Sequence, residues 1–113
     1  NFNAGGAQNF GSITALSGMA ITTSGASTNV TLNSSPTVLS LTIGASSTLT
    51  GADGSARTLT IAASGSFTNS GTFTATADNT ISFAGSGTVT GTVSFTNLTV
   101  NGIVALSSAS TVT

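Results

Sequence analysis

The sequence predicts an all-β fold, a parallel β-solenoid (β-helix) with about six coils of about 19 residues and uncapped ends. Three observations lead there. The chain repeats itself: "LTIGASSTLT" at 41–50 returns as "LTIAASGSFT" at 59–68. Its strands alternate apolar and polar residues with a period of two, which puts alternate side chains on opposite faces. Asn-Gly hairpin signals are rare: Asn101-Gly102 and the similar Asp53-Gly54 do not recur in phase. The alternative is an antiparallel β-sandwich, as in a pilus-like subunit, since strands spaced by 8–12 residues also suit that fold.

The repeat can be followed along all 113 residues, 1–113, which read as a single domain or a segment of a longer repeat protein. Copies start at Ile21, Leu41, Leu59, Ile81 and Leu98, and one step back lands near Phe2. A short strand opens each copy, with Ile21, Leu41, Leu59, Ile81 and Leu98 facing in. Two residues on, the same face carries Thr23, Ile43, Ile61, Phe83 and Val100. A turn of small residues follows, such as "GASS", "AASG" or "AGSG". The second strand offers Val30, Leu49, Phe67, Val89 and Val104 or Leu106 to the core. A less regular third segment adds Leu16, Leu39, Phe73 and Val93 or Phe95. If each copy is one lap, Leu41 lies against Leu59, Ile43 against Ile61 and Leu49 against Phe67. Pro36 falls in the loop "NSSPT", where its missing N–H does no harm. No long stretch carries a 3.6-residue apolar stripe, so no helix is expected.

Composition narrows the function. Only Asp53, Arg57 and Asp78 are charged, and the chain has no Lys, Glu, His, Cys, Trp or Tyr. One Arg cannot neutralise a row of phosphates, so no nucleic-acid partner is expected, and no polybasic membrane surface either. No apolar run is long enough for a transmembrane helix, and no basic region followed by an apolar one marks a signal peptide. Without Cys there is no disulfide framework and no thiolate metal site. Two carboxylates without His, Cys or Lys leave almost no material for acid–base or nucleophilic catalysis. Calcium would need six to eight oxygens, usually from several acidic residues. The expectation is therefore a non-catalytic chain with no cofactor, no metal and no catalytic residue. Asp53 and Arg57, in "GADGSAR", read as turn residues or an exposed ion pair, and Asp78, in "TADNT", as a turn residue.

Two surface features could bind something. Outward positions are rich in Thr. Ala20/Thr22, Ser40/Thr42, Thr58/Thr60, Thr80/Ser82 and Asn97/Thr99 flank the first inward column. Asn29/Thr31, Thr48/Thr50, Ser66/Thr68 and Thr88/Thr90 flank the second. Such faces resemble the Thr-x-Thr arrays of β-solenoid ice-binding proteins, although Thr is also simply a good outward strand residue. Asn29, Asn33 and Asn97 each stand in an Asn-x-Ser/Thr triplet, a glycan acceptor where the side chain faces solvent in a glycosylating organism. Asn97 could instead belong to a stacked ladder in a turn.

Residues 69–73, "NSGTF", and 95–101, "FTNLTVN", carry a resemblance. Asn69, Ser70, Gly71, Thr72 and Phe73, then Phe95, Asn97, Leu98, Thr99, Val100 and Asn101, match the repeats of very large secreted bacterial β-solenoid proteins of the surface or adhesin-like kind. The match covers about 69–106, and the rest follows by internal repetition. The resemblance implies the solenoid fold and an extracellular or cell-surface setting, and brings no catalytic residues. The nearly uncharged surface suits a packed fibre better than a free monomer, which normally carries a net charge of magnitude roughly 2–8. The reading is a structural part of an extracellular filament, stalk or surface adhesin. Its partner is another copy stacked head to tail, or more of the same chain. Binding of ice or a surface glycan is the alternative, and a pilus-like subunit joined by strand donation a further one.

Overall fold

The fold is a parallel β-solenoid. The computed structural model describes residues 2, 6–9, 15–23, 27–52, 54–107 and 109–113. Among these there is no helix, and all eleven strand pairs are parallel. The sandwich alternative is thereby overturned, because its hairpins require antiparallel neighbours. With it goes the fold on which a strand-donating pilus subunit rests.

Three faces wind round one core. The first carries β6 (Arg57–Ile61), β9 (Asn79–Phe83) and β12 (Asn97–Val100), stacked in that order. The second carries β7 (Ser66–Asn69), β10 (Gly87–Gly91) and β13 (Val104–Leu106). The third carries β1 (Gly6–Asn9), β3 (Thr28–Leu32), β5 (Ser47–Ala52) and β8 (Thr72–Thr74). Two longer strands, β2 (Ala15–Thr23) and β4 (Thr37–Ile43), run through the corner between the first two faces. The start of β4 pairs with β6 and its end with β7. A short pair, β11 (Ser94–Phe95) with β14 (Thr111–Val112), completes the order.

Alternation decides which residues enter the core. In β9 and β3 every second residue is buried. The core is Val30, Leu32, Val38, Leu41, Ile43, Leu49, Leu59, Ile61, Phe67, Ile81, Phe83, Val89, Val93 and Phe95. At its centre the ring of Phe67 meets those of Phe73 and Phe95 edge-on, with centroids 5.3 and 5.7 Å away. Edge-to-face contact sets the positive rim of one ring against the negative face of the next.

The register corrects the expected rungs. Leu41 lies beside Phe67, not Leu59; Ile43 beside Asn69, not Ile61; and Leu49 beside Phe73, not Phe67. Leu59 sits on the first face, beside Ile81, and Ile61 lies beside Val38. One column in the backbone register therefore runs Ile21, Leu41, Phe67, Val89, Leu106, with Leu41, Phe67 and Val89 buried. Rung partners stand from 17 residues apart (Thr80 and Asn97) to 26 apart (Leu41 and Phe67). A constant 19-residue lap is not what the chain uses.

The repeated phrase encodes a corner. In each copy a strand leads into a tight turn and out into the next face. Ser47 N donates to Gly44 O at 3.1 Å, and Gly65 N donates to Ala62 O at 3.0 Å, at matching places in the phrase. Ser46 and Ser64, also matching, both adopt positive φ (63° and 64°). The first copy turns from the second face to the third; the next turns from the first face to the second. The 18-residue offset is thus a lap shortened by one face.

Other departures are local. Leu39, expected inside, is 41% exposed, and its neighbour Val38 faces the core instead. Val38 and Leu41 are both inward and three residues apart, so β4 breaks its alternation where it rounds the corner. Val100, also expected inside, is 40% exposed; of the alternatives Val104 and Leu106, Val104 packs against the core while Leu106 is 42% exposed. Val100 and Leu106 occupy the last described rung on their faces, so no further strand covers them. Leu16 and Ile21 take their places in the backbone register.

Coils approach closely enough at some corners to exclude a side chain. Gly91 has φ +89°, and a Cβ there would collide with the Asn69 carbonyl in the coil beneath.

Leu59 is fully buried, so Leu59→Ala is expected to cost about 2–5 kcal/mol of unfolding free energy. Leu106→Ala, on the half-exposed rung, is expected to cost about 1 kcal/mol or less. Urea denaturation of both variants checks the contrast.

Candidate functional site

The chemistry available to this fold lies on its outward faces and at one corner. Registration regroups the expected Thr columns from two faces into three. Thr22, Thr42, Thr68 and Thr90 stand in one unbroken column on the second face. Thr37, Thr60, Ser82 and Thr99 form another on the first. On the third face Asn29/Thr31, Thr48/Thr50 and Thr72/Thr74 make three paired rungs. Thr72 and Thr74 were not among the expected outward residues; their place follows once Phe73 is recognised as the partner of Leu49. Within a rung the paired side chains are about 6.7 Å apart, and rungs repeat every 4.8 Å or about that. A hydroxyl also bonds the amide of the coil beside it: Thr50 Oγ1 donates to Asn29 Oδ1 at 3.3 Å.

Arg57 and Asp78 meet at one corner, Arg57 at the start of β6 and Asp78 in the turn before β9. Arg57 is the Cα partner of Asn79, and Arg57 N donates to Asp78 O at 2.9 Å. Asp78 is exposed in a turn, as the sequence suggests, while Arg57 is half-buried. Asp53 lies outside the described residues, and so does the expectation that it pairs with Arg57 or serves as a turn residue. Among the described residues no group of three His, Cys, Asp or Glu comes together to hold a metal ion. No pocket opens on the described surface, and no helix is long and apolar enough to cross a membrane.

The three Asn-x-Ser/Thr asparagines differ in what they can offer. Asn29 is exposed on the third face, with its Oδ1 held by Thr50. Asn33 is half-buried. Asn97 is exposed, but its Nδ2, the atom a glycan would take, donates to Ala77 O at 2.9 Å and Asn79 O at 3.1 Å. Asn97 therefore bridges two coils from a strand rather than stacking in a turn.

A further bridging residue was hidden in the resemblance motif. Asn69 is nearly buried on an inward position. Its Nδ2 donates to Thr92 O at 2.7 Å, and its Oδ1 accepts from Gly71 N at 3.1 Å. The amide thus closes the turn of its own coil and ties it to the next. The signal was present in "FTNSG": an Asn in phase with Phe67, followed by a turn glycine. At the far end Ser107 and Ser110 both donate to Gly91 O, capping a carbonyl where strand pairing stops.

The chain matches no protein-family model, no curated protein and no solved structure.

Asn69→Ala would leave Gly71 N and Thr92 O without these partners, and the expected cost is about 1–3 kcal/mol. A lowered midpoint in urea with an unchanged m-value checks it; no loss would show that the amide bridge contributes nothing to the stack.

Proposed function

We propose that this chain is a structural, non-catalytic component of an extracellular filament, stalk or surface adhesin, and that it extends by stacking β-coils along one axis. The observation that carries the reading is the parallel register from coil to coil, with apolar columns inside and hydroxyl columns outside. Each coil is a template for the next. At the last described rung the template is open: Val100, Ile103, Leu106 and Val112 are 40%, 81%, 42% and 53% exposed. On this reading a following coil covers them, from more of the same chain or from a second copy stacked head to tail, and about six coils make up the 113 residues. The near absence of charge supports close lateral packing of such rods, because no like-charge repulsion keeps them apart. Neither nucleic acid nor insertion into a membrane belongs to this role.

A second reading, ice binding, is favoured by one observation. The hydroxyls of the third face form a two-column lattice in three consecutive rungs, with Asn29 interrupting it at one corner. The Ser66/Thr68 and Thr88/Thr90 rungs of the second face make a similar patch. A surface glycan is the other ligand class such a face could take.

Two measurements separate these. Oriented native material should give a meridional X-ray reflection at about 4.8 Å, the rung spacing along the rod axis. Thermal hysteresis of the purified chain should equal that of buffer. A separation of freezing and melting points would replace the structural role with ice binding, and native material lacking the axial reflection would contradict the filament.

A further inference from the structure

The corner between Gly51 and the Thr76–Asn79 turn holds an unusual set of buried atoms. Asn79 is 1% exposed, and neither its Oδ1 nor its Nδ2 has a hydrogen-bond partner in the protein. The buried Oγ1 of Thr76 has none either. Both residues face the same glycine. A Cβ built on Gly51, in the coil beneath, would stand 3.0 Å from both Thr76 Oγ1 and Asn79 Cβ, and 3.2 Å from Asn79 Cγ. The backbone around them is tied off. Asn79 N donates to Thr76 O at 3.0 Å, and Asn79 O accepts from Asn97 Nδ2 at 3.1 Å.

Buried side-chain amides and hydroxyls are hydrogen-bonded in the large majority of native cases, and leaving them bare is costly. Here one donor group and two acceptors belong to two residues that approach the same glycine. We propose that a single structural water is held at this corner by Thr76 and Asn79, beside Gly51. The geometry of a primary amide suits it. The N–H cis to the carbonyl and the carbonyl oxygen point the same way, so one water can accept from Nδ2 and donate to Oδ1. Its second proton goes to Thr76 Oγ1. Three bonds is the usual number for an internal water. A metal ion fits poorly: the set supplies two side-chain oxygens, where calcium takes six to eight, and it presents an N–H to the cation. The water makes the Thr76–Asn79 turn a hydrated joint at the corner where the Gly51 and Arg57 coil meets the next. This inference stands apart from the proposed function.

Nuclear magnetic resonance of the labelled whole chain tests it. Cross-peaks from a long-lived water to the Asn79 side-chain amide protons are expected. They should be lost in Thr76→Val, a change of nearly the same shape, and Asn79→Leu should lower Tm by a few degrees because it strands Thr76. Absence of a water cross-peak at Asn79 in the unaltered chain would overturn the proposal, as would a cross-peak that survives Thr76→Val. A rise in Tm for Asn79→Leu would also overturn it, since that is the result for an amide buried alone.

Discussion

Parallel backbone pairing between successive coils is the interaction on which everything else in this molecule depends. Each strand satisfies its N–H and C=O groups on the coils above and below, and those bonds fix the spacing at which side chains meet. Because neighbours are parallel and in register, like positions stack on like. Leu41 meets Phe67 and Phe67 meets Val89 inside, while Thr42 meets Thr68 and Thr68 meets Thr90 outside. The ladder constrains strands and leaves corners free. That is why partners can stand 17 residues apart in one place and 26 in another without disturbing either column. Extra residues collect at corners: Ile61 and Phe67 are six apart where Val38 and Leu41 beneath them are three apart.

The corners are held by different means. The repeated phrase makes a turn with a left-handed Ser. At another place Asn69 spans two coils with its amide, and Gly91 lets the Asn69 carbonyl come close. The residues of the resemblance motif fall on these joints: Asn69 and Gly71 in one turn, Phe95 in the aromatic cluster, and Asn97 bridging to the coil before. Local bonding gives each of them a reason to recur in a stacked coil.

Much of the fold was legible in the sequence, because burial in a strand is written in alternation. Leu41, Ile43, Leu49, Leu59, Ile61, Phe67, Ile81, Phe83 and Val89 were all assigned inward, and all are buried. Rung partnership was not legible. The phrase that repeats specifies a strand, a corner and a strand, and such a unit can begin on any of the three faces. Leu59 resembles Leu41 in its phrase, but the chain between them completes only part of a lap. Leu39 was misassigned because the corner in β4 interrupts the period of two. The burial of Asn69 and Asn79 was not legible, because a polar residue in an otherwise apolar phase does not show from sequence whether it faces in.

The register itself is the claim to test first, and the absence of native cysteine makes the test direct. Thr42 and Thr68 face outward as Cα partners, and paired strand residues are close enough for a disulfide. Thr60, the partner of Thr42 under the 18-residue reading, instead pairs with Thr37, at the other end of β4. Two double variants, Thr42→Cys with Thr68→Cys and Thr42→Cys with Thr60→Cys, are oxidised under native conditions and the linked fraction is measured by peptide mass. Near-complete linkage of the 42–68 pair with little of the 42–60 pair is the expected result. The reverse would contradict the stacked register and the columns built on it.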